Sequence, residues 1–284
     1  MNSSAQRILR AIPLVALGAF GAGGARAQTR TPLDTGFHRM YELNFDAARA
    51  QFTAYQQAHP EDPLGDAAFA ASYLFEEFDS KGVFTSEFFL DDKKLLGGVK
   101  GPPDEPRRVA FFASNATARR KAQQALKSNS RDANALFVLT LADGMEADYD
   151  ALIAKKQLAS LHFIREAENS SMKLLAIQPD LQDAYVALGA ANYIIGCLPA
   201  YKRGFLWLGG IHGDRQRGMN QLQQAALHGR YLQPFAKIML ALAALREKQP
   251  ELARLLLADL AREFPENPRF ARELALAEQK AARQ

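Results

Sequence analysis

Apolar residues recur three or four positions apart along the chain from Thr35 onward. This spacing places them on one face of successive helices, whereas the two-residue alternation of β-strands and hairpin dipeptides such as Asn-Gly are absent. The pattern therefore predicts an all-α fold. The helical segments follow one another in pairs, which indicates an internal repeat.

The clearest repeat unit occupies residues 36–63. Gly36, Ala48, Phe52 and Pro60 have the separations of a helix–turn–helix unit in which small residues let two helices cross closely. Pro60 ends the second helix because it has no N–H to donate to the preceding turn. This spacing resembles the tetratricopeptide-repeat (TPR) family, and the resemblance implies a solenoid of stacked helical hairpins.

The same spacing returns four more times, and the last segment, from Arg269, is charged on most of its surface, as a capping helix should be. The repeat ends are Pro60, Ser130, Pro179, Arg230 and Pro265. All but the last step exceed the roughly 34 residues of an ideal unit. We predict one domain over residues 28–284: a TPR-like helical-hairpin solenoid of about five helix pairs, with insertions and a C-terminal capping helix.

A second resemblance covers residues 192–240. It comprises a Leu-Pro break at Leu198 and a Gly-Asp-Arg-x-x-Gly turn from Gly213 to Gly218. This stretch is similar to exported bacterial TPR proteins and to the inclusion-body-clearance TPR family. The resemblance implies a scaffold or adaptor, with no known catalytic site.

The N-terminal segment has the layout of an export signal. Arg7 and Arg10 precede an uncharged apolar run over residues 11–24, and an A-x-A site ends at Ala27. A membrane anchor is the alternative, but about 14 apolar residues are too few for a spanning helix. Residues 1–27 are predicted to be cleaved, leaving a periplasmic or secreted protein.

Charge and composition argue against two classes of protein, nucleic-acid binders and disulfide-stabilised domains. The formal net charge of +4 falls to +1 without the signal, because Arg7, Arg10 and Arg26 belong to it and 32 basic residues then face 31 acidic ones. A nearly neutral protein has no strong positive electrostatic field that would attract the phosphate backbone of a nucleic acid. One cysteine among 284 residues excludes an internal disulfide framework.

Candidate chemistry is sparse. His162 and Glu166 have helical i,i+4 spacing without a companion motif, and the acidic cluster in residues 143–150 lacks a calcium-loop pattern and is predicted as a solvated turn. Cys197 is predicted as a small buried residue, and Asp214 as the N-cap of a helix. We expect no enzymatic activity, no cofactor and no metal site.

The inner surface of the solenoid gives the main functional hypothesis. The first helices of the repeats would line it with apolar residues rather than the Lys and Arg of a carboxylate clamp. The candidate groove residues are Phe37, Met40, Tyr41, Leu74, Phe75, Met145 and Tyr193. The groove would bind a protein partner; the alternatives are a carrier of an apolar small molecule or lipid, and burial of the groove by the insertions.

Two inserted segments can each be interpreted in two ways. The insertion over residues 78–106, rich in Phe, Gly and Pro, is either a lid over the groove or a packed surface hairpin. Phe205, Leu206 and Trp207 lie beside two cations, which suits peripheral membrane contact, but the short stretch favours a buried interhelical turn.

The export signal makes the first testable prediction. The mature N-terminus should be Gln28 or a residue within a few positions of it, because signal cleavage follows the A-x-A site. N-terminal sequencing of the native protein measures this. A chain that keeps Met1 would contradict the export prediction.

Overall fold

A computed structural model describes residues 30–208 and 210–282 of the chain. In these ranges the regular structure is helical, with no β-strand. The prediction of an all-α fold is therefore confirmed. The proposed signal, residues 1–27, lies outside the described residues.

Fourteen α-helices occupy the described part of the chain. A π-helical turn, Tyr149–Ile153, continues α7, and a short 3₁₀ turn, Gln182–Ala184, precedes α9. The α-helices are α1 Pro32–Tyr41, α2 Phe45–Ala58, α3 Pro63–Ser80, α4 Ser86–Leu90, α5 Asp92–Gly97, α6 Glu105–Ser128, α7 Ala133–Asp148, α8 Gln157–Ile177, α9 Tyr185–Cys197, α10 Ala200–Leu208, α11 Arg215–His228, α12 Gln233–Arg246, α13 Pro250–Glu263 and α14 Pro268–Ala281.

The helices pack as the hairpins that the repeat predicts. The pairs are α1 with α2, α3 with α6, α7 with α8, α9 with α11 and α12 with α13, and α14 packs on α13 as the cap. The extra residues of the longer repeats form α4 and α5, the π-helical turn, and α10. The predicted hairpin solenoid with insertions and a capping helix is confirmed.

Aspartates begin several of these helices. Asp62, Asp104 and Asp132 accept a hydrogen bond from the backbone N–H of the first turn of α3, α6 and α7. Asp214 does the same for α11, accepting from Arg217 N at 2.7 Å, which confirms its predicted role. Each cap satisfies a donor that the helix leaves free and fixes where the helix starts.

Glycines stand where the paired helices cross. A Cβ on Gly36 of α1 would overlap the Phe52 ring of α2. A Cβ on Gly189 of α9 would lie 2.8 Å from Leu222 Cγ and 2.9 Å from Leu222 N, on α11. Both hairpins therefore depend on the missing side chain for their close helix contact.

The solenoid closes on itself, because the first hairpin packs against the last repeat and the segment that leads into the cap. The Phe37 ring lies 5.0 Å from the Tyr231 ring, and the Tyr41 hydroxyl donates to Tyr231 O at 3.0 Å. Tyr41 also lies 5.6 Å from the Phe264 ring, and Asn267 Nδ2 donates to Tyr41 O at 2.8 Å. These contacts join segments about 190 to 230 residues apart.

The insertion after α3 fills the space inside this ring. The Phe84 ring lies 4.5 Å from Phe75 and 5.9 Å from Phe235 of α12. The Phe89 ring lies 6.1 Å from Tyr193 of α9, and Phe89 O accepts a hydrogen bond from Arg246 at 3.0 Å. The insertion is therefore part of the packed core and is not a lid.

The glycine crossing in the fourth pair makes a stability prediction. Gly189→Ala should lower the free energy of unfolding by about 1 to 3 kcal/mol, because its methyl group would overlap Leu222. Gly144→Ala in α7 is the matched control, since nothing lies within 4 Å of a Cβ there, and it should stabilise by about 0.5 to 1 kcal/mol. Denaturant unfolding measures both. Equal effects of the two substitutions would contradict the close crossing.

Candidate functional site

The residues predicted to line an open groove are core residues instead. Six of them are at most 6% exposed: Phe37, Met40, Tyr41, Leu74, Phe75 and Tyr193. Met145 of α7 is partly buried and packs against the same core. The prediction of an open apolar groove at these positions is therefore corrected, because ring closure and the α4 insertion bury them together. Burial by the insertions, one of the alternatives, describes the structure.

Tyr193 is buried and its hydroxyl has hydrogen-bond partners inside the fold. Its hydroxyl donates towards Ala243 O at 3.3 Å and Glu247 Oε1 at 3.1 Å, so its polar end is satisfied inside the fold. Burial raises the pKa of Tyr193 well above its usual value. Tyr193 is thus an internal anchor between α9 and α12 and has no free edge for a partner.

The acidic cluster in residues 143–150 is also more buried than the sequence suggests. Asp143 accepts a hydrogen bond from Arg119 at 2.7 Å, and Glu146 accepts one from Asn115 at 3.1 Å. Burial raises the pKa of Asp143. The prediction of a solvated turn is therefore wrong, since these carboxylates join α6 to α7. Among the described residues, no group of three or more His, Cys, Asp or Glu could hold a metal ion.

A surface cleft of about 360 Å³ opens beside the turn between α1 and α2. Most of its charged side chains form ion pairs: Arg49 lies 2.7 Å from Glu76, and Arg39 lies 2.8 Å from Glu42. A polar cleft of paired charges offers little to the apolar ligand of the carrier hypothesis.

Helix α10 is where apolar side chains do reach the surface. Tyr201 is 75% exposed, Phe205 72%, Trp207 63% and Leu208 77%. We call these four residues the α10 apolar face. No residue of α10 is buried, so the prediction of a buried interhelical turn is wrong.

A few contacts hold α10 to the body. Leu206 is partly buried and packs with Leu161, Ile164 and Leu198 around a small satellite core. In the turn that follows the helix, Ile211 N donates to Leu206 O at 3.0 Å. Gly210 in this turn has a φ of 74°, a backbone conformation that favours glycine. The other α-helices pack on a neighbouring helix, so α10 stands apart within the described structure.

The orientation of α10 is inverted relative to an ordinary surface helix. At about 100° per residue, Lys202 and Arg203 lie within about 60° of Leu206, on the side that meets the body. The α10 apolar face lies about 100° or more from Leu206 and points to solvent. A helix that only served the fold would bury this side.

Within the segment that contains α10, residues 184–213, the formal charge has one sign. Lys202 and Arg203 are exposed, and no Asp or Glu occurs between Asp183 and Asp214. Asp214 caps α11, and Glu247 lies 3.3 Å from Arg215. The region therefore combines an exposed apolar face with positive charge. The sequence shows these residue types, but its hydrophobic pattern alone would place the apolar half of the helix against the body.

A comparison with solved structures finds similarity of fold. The chain is similar to a thermophilic TPR protein of Thermus thermophilus, at 14% identity and a TM-score of 0.47, over 87% of this chain and 97% of that one. No family model and no curated protein matches the chain. In the described residues, no helix combines the length and apolar character needed to cross a membrane.

The acidic cluster predicts how stability changes with pH. Desolvation raises the pKa of Asp148 from 3.8 to about 7, and the described structure gives its carboxylate no ion pair or hydrogen bond. The unfolded chain therefore releases this proton at lower pH than the native protein, and the free energy of unfolding should fall between about pH 4 and pH 7, by up to about 1.4 kcal/mol per pH unit.

Asp148→Asn should flatten this part of the profile, measured by denaturant unfolding from pH 4 to pH 8. Asp180→Asn is the control, because Asp180 is exposed in the turn after α8. A slope that is the same in wild type and Asp148→Asn would show that Asp148 is not the group that titrates.

Proposed function

We propose that the protein is an exported, non-catalytic scaffold of the cell envelope that docks on its target through the α10 apolar face. The observation that carries the proposal is the outward orientation of Tyr201, Phe205, Trp207 and Leu208 on one short helix. Contiguous exposed apolar surface of this kind marks interaction sites in globular proteins.

The distribution of the remaining exposed apolar residues supports this assignment. Val109, Leu227 and Leu255 are exposed singly on three helices, and Leu158 and Met172 lie at opposite ends of α8, as is normal for any protein surface. Within the described residues, only α10 gathers four such residues in nine positions. Aromatic residues are also the usual energetic anchors of interfaces.

Because the interior of the solenoid is filled, a protein partner would bind on its outside. The inner side chains that would hold a peptide or an apolar ligand, Tyr41, Phe75 and Tyr193 among them, already contact one another or the insertion. The protein partner that the TPR resemblance implies would therefore bind an outer surface.

The polar residues support a scaffold rather than an enzyme. Cys197 is buried, and burial raises the pKa of its thiol, so the thiolate that a nucleophile needs is disfavoured. Asp143 pairs with Arg119, and Lys237 lies 3.3 Å from Glu263. These groups are occupied in holding helices together.

Cell fractionation tests the docking role of α10. In the native host, the wild-type protein should be found outside the cytoplasm and attached to the envelope fraction. The variant Tyr201→Ser/Phe205→Ser/Leu208→Ser should be exported equally but released, with the bound-to-free ratio lowered at least tenfold, since each lost anchor typically costs more than about 1 kcal/mol.

The matched control is Val109→Ser/Leu227→Ser/Leu255→Ser, which removes three scattered exposed apolar residues and should remain attached. Osmotic shock and sedimentation measure both quantities. Wild-type protein retained in the cytoplasm, or equal attachment of both triple variants, would contradict the proposal.

A further inference from the structure

We infer that the target of α10 is the surface of a bilayer that carries anionic lipid headgroups. This inference rests on the proposed docking role of α10 and names the chemistry of its target. It is drawn from the residue types of the helix, their arrangement around it and the charge of the surrounding surface.

The exposed residue types match a membrane–water interface. Tyr and Trp combine an apolar ring with a polar group and are enriched at the headgroup level, and Phe and Leu bury readily among the upper acyl chains. At about 1.5 Å per residue, the nine residues of α10 span about 14 Å. Such a helix is far too short to cross a bilayer and would lie in the plane of the interface.

The arrangement around the helix suits that placement. The α10 apolar face points away from the protein, so it can enter the interface without any rearrangement of the core. Lys202 and Arg203 lie on the opposite half of the helix, beside the body. Their long side chains would reach the headgroups while the apolar face lies deeper.

The charge of the surface selects anionic lipids over neutral ones. No acidic residue occurs from position 184 to 213 to repel phosphate groups. Leu158 of α8 is 79% exposed and lies one turn before Leu161, which packs against the same small core as Leu206. The exposed Lys155 and Lys156 precede Leu158. Lys202 and Arg203 therefore lie on α10 itself and two further exposed cations lie just before α8, and each cation near an anionic surface adds attraction.

The chain carries its own reporter for the test. Trp207 is its one tryptophan and belongs to the α10 apolar face, so its fluorescence responds directly to burial of this surface. The experiment mixes the full mature protein with vesicles of phosphatidylcholine alone or of phosphatidylcholine with phosphatidylglycerol. We expect a blue shift of Trp207 emission with the anionic vesicles only, reversed by high salt.

Three variants sharpen the measurement. Phe205→Ser should weaken binding to anionic vesicles at least about tenfold through lost apolar burial. Lys202→Gln/Arg203→Gln should weaken it by about fivefold per charge. Leu255→Ser removes an exposed leucine from α13 and should bind as wild type does. All the side chains replaced on α10 are exposed, and far-ultraviolet circular dichroism checks that the helical content is unchanged.

Several outcomes would overturn the inference. One is an unshifted Trp207 emission with anionic vesicles, and another is equal binding by wild type and Phe205→Ser. Equal affinity for neutral vesicles would overturn the preference for anionic lipid. A concentration-dependent dimer that Phe205→Ser abolishes, without vesicle binding, would assign α10 to a second copy of the chain.

Site-specific photo-crosslinking separates this inference from the proposed function. If a crosslinker at position 205 captures an envelope protein, one at position 255 does not, and vesicles are not bound, the lipid target is wrong while docking through α10 stands. If vesicles are bound but attachment in cells is independent of α10, the proposed function fails instead.

Discussion

The packing of the first hairpin against the last repeat and the start of the cap is the contact on which the rest of the structure depends. Tyr41 is central to it: the residue is 1% exposed, its hydroxyl donates to Tyr231 O, and its carbonyl accepts from Asn267. An open solenoid would leave these aromatic residues facing solvent. Closure makes them a shared interior, which the α4 insertion completes through Phe84 and Phe89.

Closure also determines where the molecule can bind. In the described part of the chain the interior of the ring is filled by side chains, which leaves the outside of the ring and its appended elements as the exposed surfaces. Helix α10 is such an element, because it is held chiefly through Leu206 and turns its apolar face outward. The insertions therefore differ in consequence: α4 completes the core, while α10 adds a surface.

The hairpins could be predicted from sequence because their determinants are local. Gly36 and Gly189 lie where small residues are required, and Pro60 and Asp214 stand at helix ends. Ring closure could not be predicted, since residues such as Tyr41 and Tyr231 meet across 190 positions and an apolar side chain looks the same whether it lines a groove or fills a core. The outward side of α10 could not be predicted for a different reason: Lys202 and Arg203 share the Leu206 half of the helix, so the hydrophobic pattern alone would place the apolar half against the body.

The closed ring has a consequence for the order in which the protein forms. The first hairpin leaves the ribosome early, yet Phe37 and Tyr41 gain their packing partners only after Tyr231, Phe264 and Asn267 have been synthesised. Contacts of such long sequence separation are slow to form. Each hairpin has packing partners close to it in sequence, but the ring reaches its closed form only when translation is nearly complete.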